Sequence, residues 1–126
     1  MKISCEIRHA THPADAKTYD TERIRKEFLV TALFLPDEIK MVYSFQERFI
    51  VGGIMPVKKA LTLTPVDILK SAYFLERREI GIINVGGPGI VECNDNKYEL
   101  KFKEALYLGK GNKNPVFKSS DPANPA

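Results

Sequence analysis

Two histidines and an aspartate, His9, His12 and Asp15, stand at three-residue intervals in "RHATHPAD". Imidazole nitrogens and a carboxylate are zinc-ligand chemistry, and on a helix this spacing would face one way. Pro13 and the irregular surroundings argue against a regular helix there. A catalytic metal also wants three protein ligands on a rigid scaffold. His9 and His12 are therefore read as solvated or capping side chains, and the chain is expected to hold no metal. No H-x-H pair occurs elsewhere.

Nucleophilic and phosphate chemistry find little support. The two cysteines, Cys5 and Cys93, have no histidine beside them in sequence, and no G-x-S-x-G elbow is present. Cys93 reads as a small apolar strand residue. The glycine runs "VGGPG" and "LGKGNK" complete neither a dinucleotide fingerprint nor a P-loop, because neither precedes a helical pattern and no G-K-[ST] occurs. They read as turns, at the second of which Lys110 and Lys113 could attract an anion.

The densest charge is Glu76-Arg77-Arg78-Glu79, in "YFLERREIGIINVGGPG". In an extended chain Glu76 and Arg78 share one face and Arg77 and Glu79 the other, ~6.6 Å apart along the strand. Each face would carry one acid and one base, which suits a barrel mouth or subunit contact where a lone charge is costly. A solvated bend between two strands accounts for the quartet equally well.

The elements that must position these residues fall into three stretches. Residues 1–37 form an arm with one short helix in "TYDTERIRKEFLV", with Asp20 as N-cap, Glu22 in the first turn, and Ile24, Phe28 and Leu29 on one face. From Glu38 the period becomes strand-like, and 38–118 is expected to be a β domain built from "IKMVYS", "RFIVGG", "ALTLT", "YFLER", "EIGIINV", "IVEC", "KYELKF", "EALYLG" and "PVFK". "IVECNDNKYELKF" predicts a hairpin turning at Asn94-Asp95-Asn96, with Val91 and Cys93 before the turn and Tyr98, Leu100 and Phe102 after it alternating with polar residues. "GIINV" places apolar residues on both faces, so it is expected to lie centrally, covered on both sides. Residues 119–126 have a linker-like composition.

With 126 residues the chain has room for one core, and 44% hydrophobic with 28% charged residues is an ordinary globular composition. Many short antiparallel strands in such a domain predict an all-β, cupin-like jelly-roll sandwich or barrel. A formal charge of +3, spread along the chain without an aromatic-basic stripe, argues against a nucleic-acid partner. Two distant cysteines fit reduced thiols. No signal-peptide core and no ~20-residue apolar span is present, so the expectation is a cytoplasmic protein with no membrane partner.

"RFIVGGIMPV", "YFLERREIGIINVGGPG" and "ALYLGKG", in this order and spacing, resemble the N-terminal half of the 4-deoxy-L-threo-5-hexosulose-uronate ketol-isomerase family. The resemblance runs from "IRHATH" to "DPANPA". It implies a two-cupin enzyme of roughly twice this length, which interconverts 5-dehydro-4-deoxy-D-glucuronate and 3-deoxy-D-glycero-2,5-hexodiulosonate in pectin breakdown.

It further implies a zinc ion held by three histidines and a glutamate in the second cupin, none of them in this chain, and a homo-oligomer, a hexamer. By the same resemblance the partner is the C-terminal cupin half, and this half is structural and inactive alone. Where metal-binding cupins carry a histidine after the turn "LGKGNKNPVF", this sequence has Asn114 or Pro115. Where the family is expected to have a histidine after "YS", it has Phe45. Glu76, Arg77, Arg78, Glu79 and Lys110 remain the candidates for an anion or an interface. The alternative is a stand-alone, non-catalytic cupin-like module that binds a uronate or a partner subunit.

Overall fold

The computed structural model describes residues 2–126, which form nine strands and little helix. Strands β1 (Lys2–Arg8), β2 (Glu38–Ser44) and β3 (Phe49–Ile54) make a three-stranded sheet with β2 central. Strands β4 (Leu61–Thr62), β5 (Ile80–Ile83), β6 (Gly89–Cys93), β7 (Asn96–Leu100), β8 (Ala105–Leu108) and β9 (Val116–Ser119) follow. They form a four-stranded sheet ordered β4-β9-β6-β7 and a separate β5-β8 pair. The expected all-β, jelly-roll cupin-like class is the one observed.

The core lies between the sheets. Alternation points Ile39 and Met41 of β2, Val91 and Cys93 of β6, and Phe117 of β9 inward, where they meet Leu61, Leu63, Phe74, Leu75, Leu100 and Leu108 in one buried cluster. The β6–β7 hairpin turns on two residues: Cys93 pairs with Asn96, and Asn94 and Asp95 both have positive φ. That is the conformation the Asn-Asp pair suits.

Strand β1 lies in the stretch read as an irregular arm. It runs parallel to β2, with Ile3, Cys5 and Ile7 opposite Ile39, Met41 and Tyr43. Its strict alternation of apolar and polar residues was the signal for it. A single helical turn, α1 (Pro13–Ala16), follows, and then α2 (Thr21–Phe28). Asp20 caps α2 through a hydrogen bond from the Arg23 N–H, as expected.

After α2 the chain crosses the back of the three-stranded sheet. Arg8 donates to the Leu29 carbonyl at 2.7 Å and Lys40 to that of Thr31 at 3.4 Å. Val42 is buried on this side. At Gly53 the crossing is so close that a Cβ would collide with the Leu33 carbonyl oxygen, so glycine is required for approach rather than for its dihedral angles.

Three strand expectations need correction. "YFLER" is not a strand but a bend. Phe74 and Leu75 drop into the core there, and the charges that follow stay near the surface. "GIINV" is neither central nor covered on both sides. Strand β5 pairs only with β8, its burial alternates, and Ile83 and Val85 are 68% and 55% exposed. Strand β7 ends at Leu100, so Phe102 is exposed, and Lys103 turns the chain with φ +67°.

Residues 119–126 lie back on the "VGGPG" turn. The Gly87 N–H donates to the Pro125 carbonyl at 2.8 Å and the Ala126 N–H to Ser119 Oγ at 2.8 Å, while Ser119 Oγ donates to the Pro56 carbonyl. Buried Asn84 holds the same turn. Its Nδ2 donates to the carbonyls of Gly87 (2.8 Å) and Leu100 (2.9 Å), and its Oδ1 accepts from the Gly86 N–H (3.0 Å). A buried amide with these partners avoids the cost of an unsatisfied polar group.

Candidate functional site: an apolar cleft beside the charged bend

A cleft of about 520 Å³ opens between the sheets. Its walls come from β3, an edge strand (Phe49, Ile50, Gly52, Ile54), from β5 (Ile80 to Ile83), and from core residues between them such as Met41 and Phe117. Arg48, Arg78, Glu79 and Lys118 stand among the lining residues, and Ala126 touches it from the tail. A second hollow of about 450 Å³ lies under β1, where Ile3, Cys5 and Ile7 face Pro65 to Ile68.

The quartet reaches this cleft only with its second half. The bend makes Arg78 and Glu79 lining residues, while Glu76 and Arg77 brace the loop before them. Glu76 accepts from the Ala72 N–H at 3.1 Å, and Arg77 Nη2 donates to the carbonyls of Leu69 and Lys70 at 2.8 and 3.0 Å. No ion pair joins members of the quartet among the described residues, so the expected acid-base pair on each face does not form.

Half-buried Arg78 lies over the Tyr43 ring, 5.0 Å from its centroid. It donates through Nη2 to the Tyr43 hydroxyl at 2.9 Å and through Nη1 to the Arg48 carbonyl at 3.4 Å. Neutral partners satisfy its hydrogen-bonding geometry but leave its charge without a carboxylate among the described residues. Glu79 instead accepts from the Tyr107 hydroxyl at 2.6 Å, a contact that raises the pKa of that phenol.

Phe45 continues the row in which Arg78 and Tyr43 stand. Its ring meets Tyr43 edge-on at 5.0 Å and His9 at 5.5 Å. The residue that stands where a histidine was expected therefore packs between aromatic rings at the end of β2.

The remaining candidates lie apart. His12 caps α1, its Nδ1 accepting from the Ala14 N–H at 3.1 Å, which is the capping role the sequence suggested. Lys110 is exposed on a turn that docks against the bend through the Gly111 N–H and the Leu75 carbonyl, 2.7 Å apart. Lys113 of the same turn lies over the Tyr73 ring. Pro115 is fully buried, and its carbonyl accepts from the Leu63 N–H. Cys93 is a core residue whose thiol pKa is pushed up by burial. Burial is also the main influence on Cys5, opposed by the Tyr43 backbone and the Arg78 charge, and its thiol too is raised.

No group of three or more His, Cys, Asp or Glu residues close enough to hold a metal occurs among the described residues. The donors of this chain therefore do not fit the zinc site implied by the resemblance. Among the described residues no helix is long and apolar enough to cross a membrane.

Sequence reasoning missed Asp37. It has φ +58°, and its Oδ1 accepts from three successive N–H groups, those of Val57, Lys58 and Lys59, at 2.8, 2.8 and 3.1 Å. These bonds, that of Val57 first, hold its carboxyl below the usual aspartate value. The partners lie about twenty positions away, and nothing local in the sequence points to them.

The cleft is apolar over most of its wall and has few polar groups to orient a polyhydroxylated substrate. Its chemistry suits apolar side chains, with the cationic groups of Arg48, Arg78 and Lys118 at its margin.

No protein-family model matches the chain. Curated relatives match it along its whole length. It is 55% identical over 126 residues to the 4-deoxy-L-threo-5-hexosulose-uronate ketol-isomerase of Bacteroides fragilis (strain YCH46), covering all of this chain and 45% of that protein. The ketol-isomerase 1 of Bacteroides thetaiotaomicron gives the same figures. The ketol-isomerase of Lachnospira eligens is 51% identical over 121 residues, covering 96% of this chain and 43% of its own length. The chain thus spans less than half the length of the relatives it matches.

Proposed function

We propose that this chain, which matches the N-terminal half of the 4-deoxy-L-threo-5-hexosulose-uronate ketol-isomerases over its full length, is the framework half of such an enzyme. The reaction would interconvert 5-dehydro-4-deoxy-D-glucuronate and 3-deoxy-D-glycero-2,5-hexodiulosonate in bacterial pectin breakdown, in the cytoplasm and within a hexamer. The match carries the reading: 55% identity with no stretch of the chain left over.

Moving a carbonyl one carbon along a sugar acid requires a base to take a proton from the carbon between two oxygens. It also requires an electrophile to hold the enediolate. Three of the four ionisable side chains that line the cleft are engaged, and the fourth, Arg48, is a cation that cannot serve as the base. Glu79 is held by Tyr107, Lys118 by Glu92 at 2.8 Å, and Arg78 by Tyr43. The residues of this chain would instead provide a rigid β scaffold, and base and zinc would both belong to the C-terminal half. Of the quartet, Glu76 and Arg77 brace the scaffold, and Arg78 is the member available to a carboxylate.

Turnover of 5-dehydro-4-deoxyglucuronate by the purified 126-residue chain, together with its metal content, tests the reading. The expected result is no turnover and less than stoichiometric metal. Clear turnover by the chain alone would overturn it.

A further inference from the structure

The cleft is walled by two strands whose hydrogen-bonding edges are open. Strand β3 ends its sheet beyond β2, and among the described residues β5 has β8 as its only strand partner. Exposed strand edges usually are short, charged or covered, because their free N–H and C=O groups recruit another strand. Here they are flanked by bulky apolar side chains in the open: Phe34 and Phe49 on one side, 53% and 63% exposed, and Ile83 and Val85 on the other. This apolar surface continues into the cleft, which all four residues line.

The relatives supply the occupant. The matched region is their N-terminal half, and more than half of their length lies outside it. Ala126 lines the cleft and is fixed there by its bond to Ser119 Oγ. In a relative with the same fold, the polypeptide after the matched region therefore starts at the cleft itself.

We infer that the cleft between β3 and β5 is the seat of the C-terminal half, filled by an extended segment of it. That segment pairs with an open strand edge, buries apolar side chains against Phe49 and Ile83, and brings a carboxylate to Arg78. The inference rests on the framework reading above and adds to it the surface on which the halves meet. Main-chain pairing at an edge combined with side-chain pockets is the general physics of strand addition. A half-buried guanidinium with only neutral partners is the complementary site for an acid.

The test compares amide hydrogen exchange in the 126-residue chain with that in the full-length Bacteroides fragilis relative, which carries the matched region joined to its C-terminal half. Protection should be higher in the relative at the segments that align with residues 49–54 and 80–85. Aspartate in place of the residue aligned with Ile83 or with Phe49 should lower protection of those segments in the relative at least tenfold. Glutamine at the position aligned with Arg78 should lower it less and make it less sensitive to salt. Aspartate at the position aligned with Ile24, on the outer face of α2, should leave it within twofold. Because Ile83 and Phe49 are exposed, circular dichroism should show the variants folded, and the comparison of the two unmodified proteins needs no substitution at all. Equal protection of these segments in the two proteins, a rise confined to other segments, or variants that change nothing would each overturn the docking surface. The framework reading stands or falls separately, on turnover by the chain alone.

Discussion

The two sides of β3 are finished differently. Behind its sheet, residues 29–34 cross so closely that Gly53 has no room for a side chain, and Val42 is as buried there as the front-face Met41. In front, towards β5, Phe49, Ile83 and Val85 are left mostly exposed among the described residues. The same kind of apolar strand is closed by the chain's own backbone on one side and left open on the other. Covering an apolar face takes chain length, and this chain spends its arm on the back of the sheet. An open apolar face of this kind is what a docking partner would cover.

Substitutions should separate the two sides by the size of their effect. The largest is expected at Gly53→Val, which forces side-chain atoms into the Leu33 backbone. Overpacking against backbone that cannot yield should cost about 3 kcal/mol, seen in urea or thermal unfolding as a drop on the order of 10 °C. A small effect would mean that the arm rests loosely on the sheet and that both sides are open.

Asp37 pins residues 57–59 to the start of β2, at the closed end of the arm. Its folded-state pKa lies below the unfolded value, so its contribution is fully present above the unfolded pKa and is lost as pH falls through the folded one. Asp37→Asn keeps a residue that tolerates the positive φ but removes the charge. It should lower stability at neutral pH by less than Gly53→Val and flatten the loss of stability between pH 5 and acid. Unfolding midpoints measured across that range would expose an unchanged pH profile, which would contradict the anchoring role.

The smallest effect belongs to the open side. Ile83→Ser removes a side chain already mostly in water and should change the stability of the isolated chain by no more than about 0.5 kcal/mol. A larger loss in a denaturant titration would show that Ile83 is packed within this chain, and the contrast between the sides would collapse.

Features set by neighbours in sequence were legible. Asp20 caps α2, Asn94-Asp95 turns the β6–β7 hairpin, His12 takes a capping bond, and Cys93 packs as an apolar residue. Each depends on dihedral preference or period-two alternation within a few residues. The same logic failed where one pattern fits two environments. The isoleucines of "GIINV" read as a strand covered on both sides, but an apolar strand with one face exposed looks identical in sequence. The quartet misled in a related way: extended chain would pair its charges, and a bend gives each of them a different partner.

The sequence by itself determined the all-β class, most strand positions, the helix cap and the hairpin turn, because these follow from side-chain period and backbone preference over short distances. Its long motifs also pointed to the isomerase relatives. Only the tertiary structure decided that the arm begins with a strand parallel to β2, that Asp37 holds a loop twenty residues away, and that Arg78 alone of the quartet's two arginines reaches the cleft. Those outcomes depend on which distant segments meet, and the energies that select them arise from packing and desolvation between residues that no local pattern links.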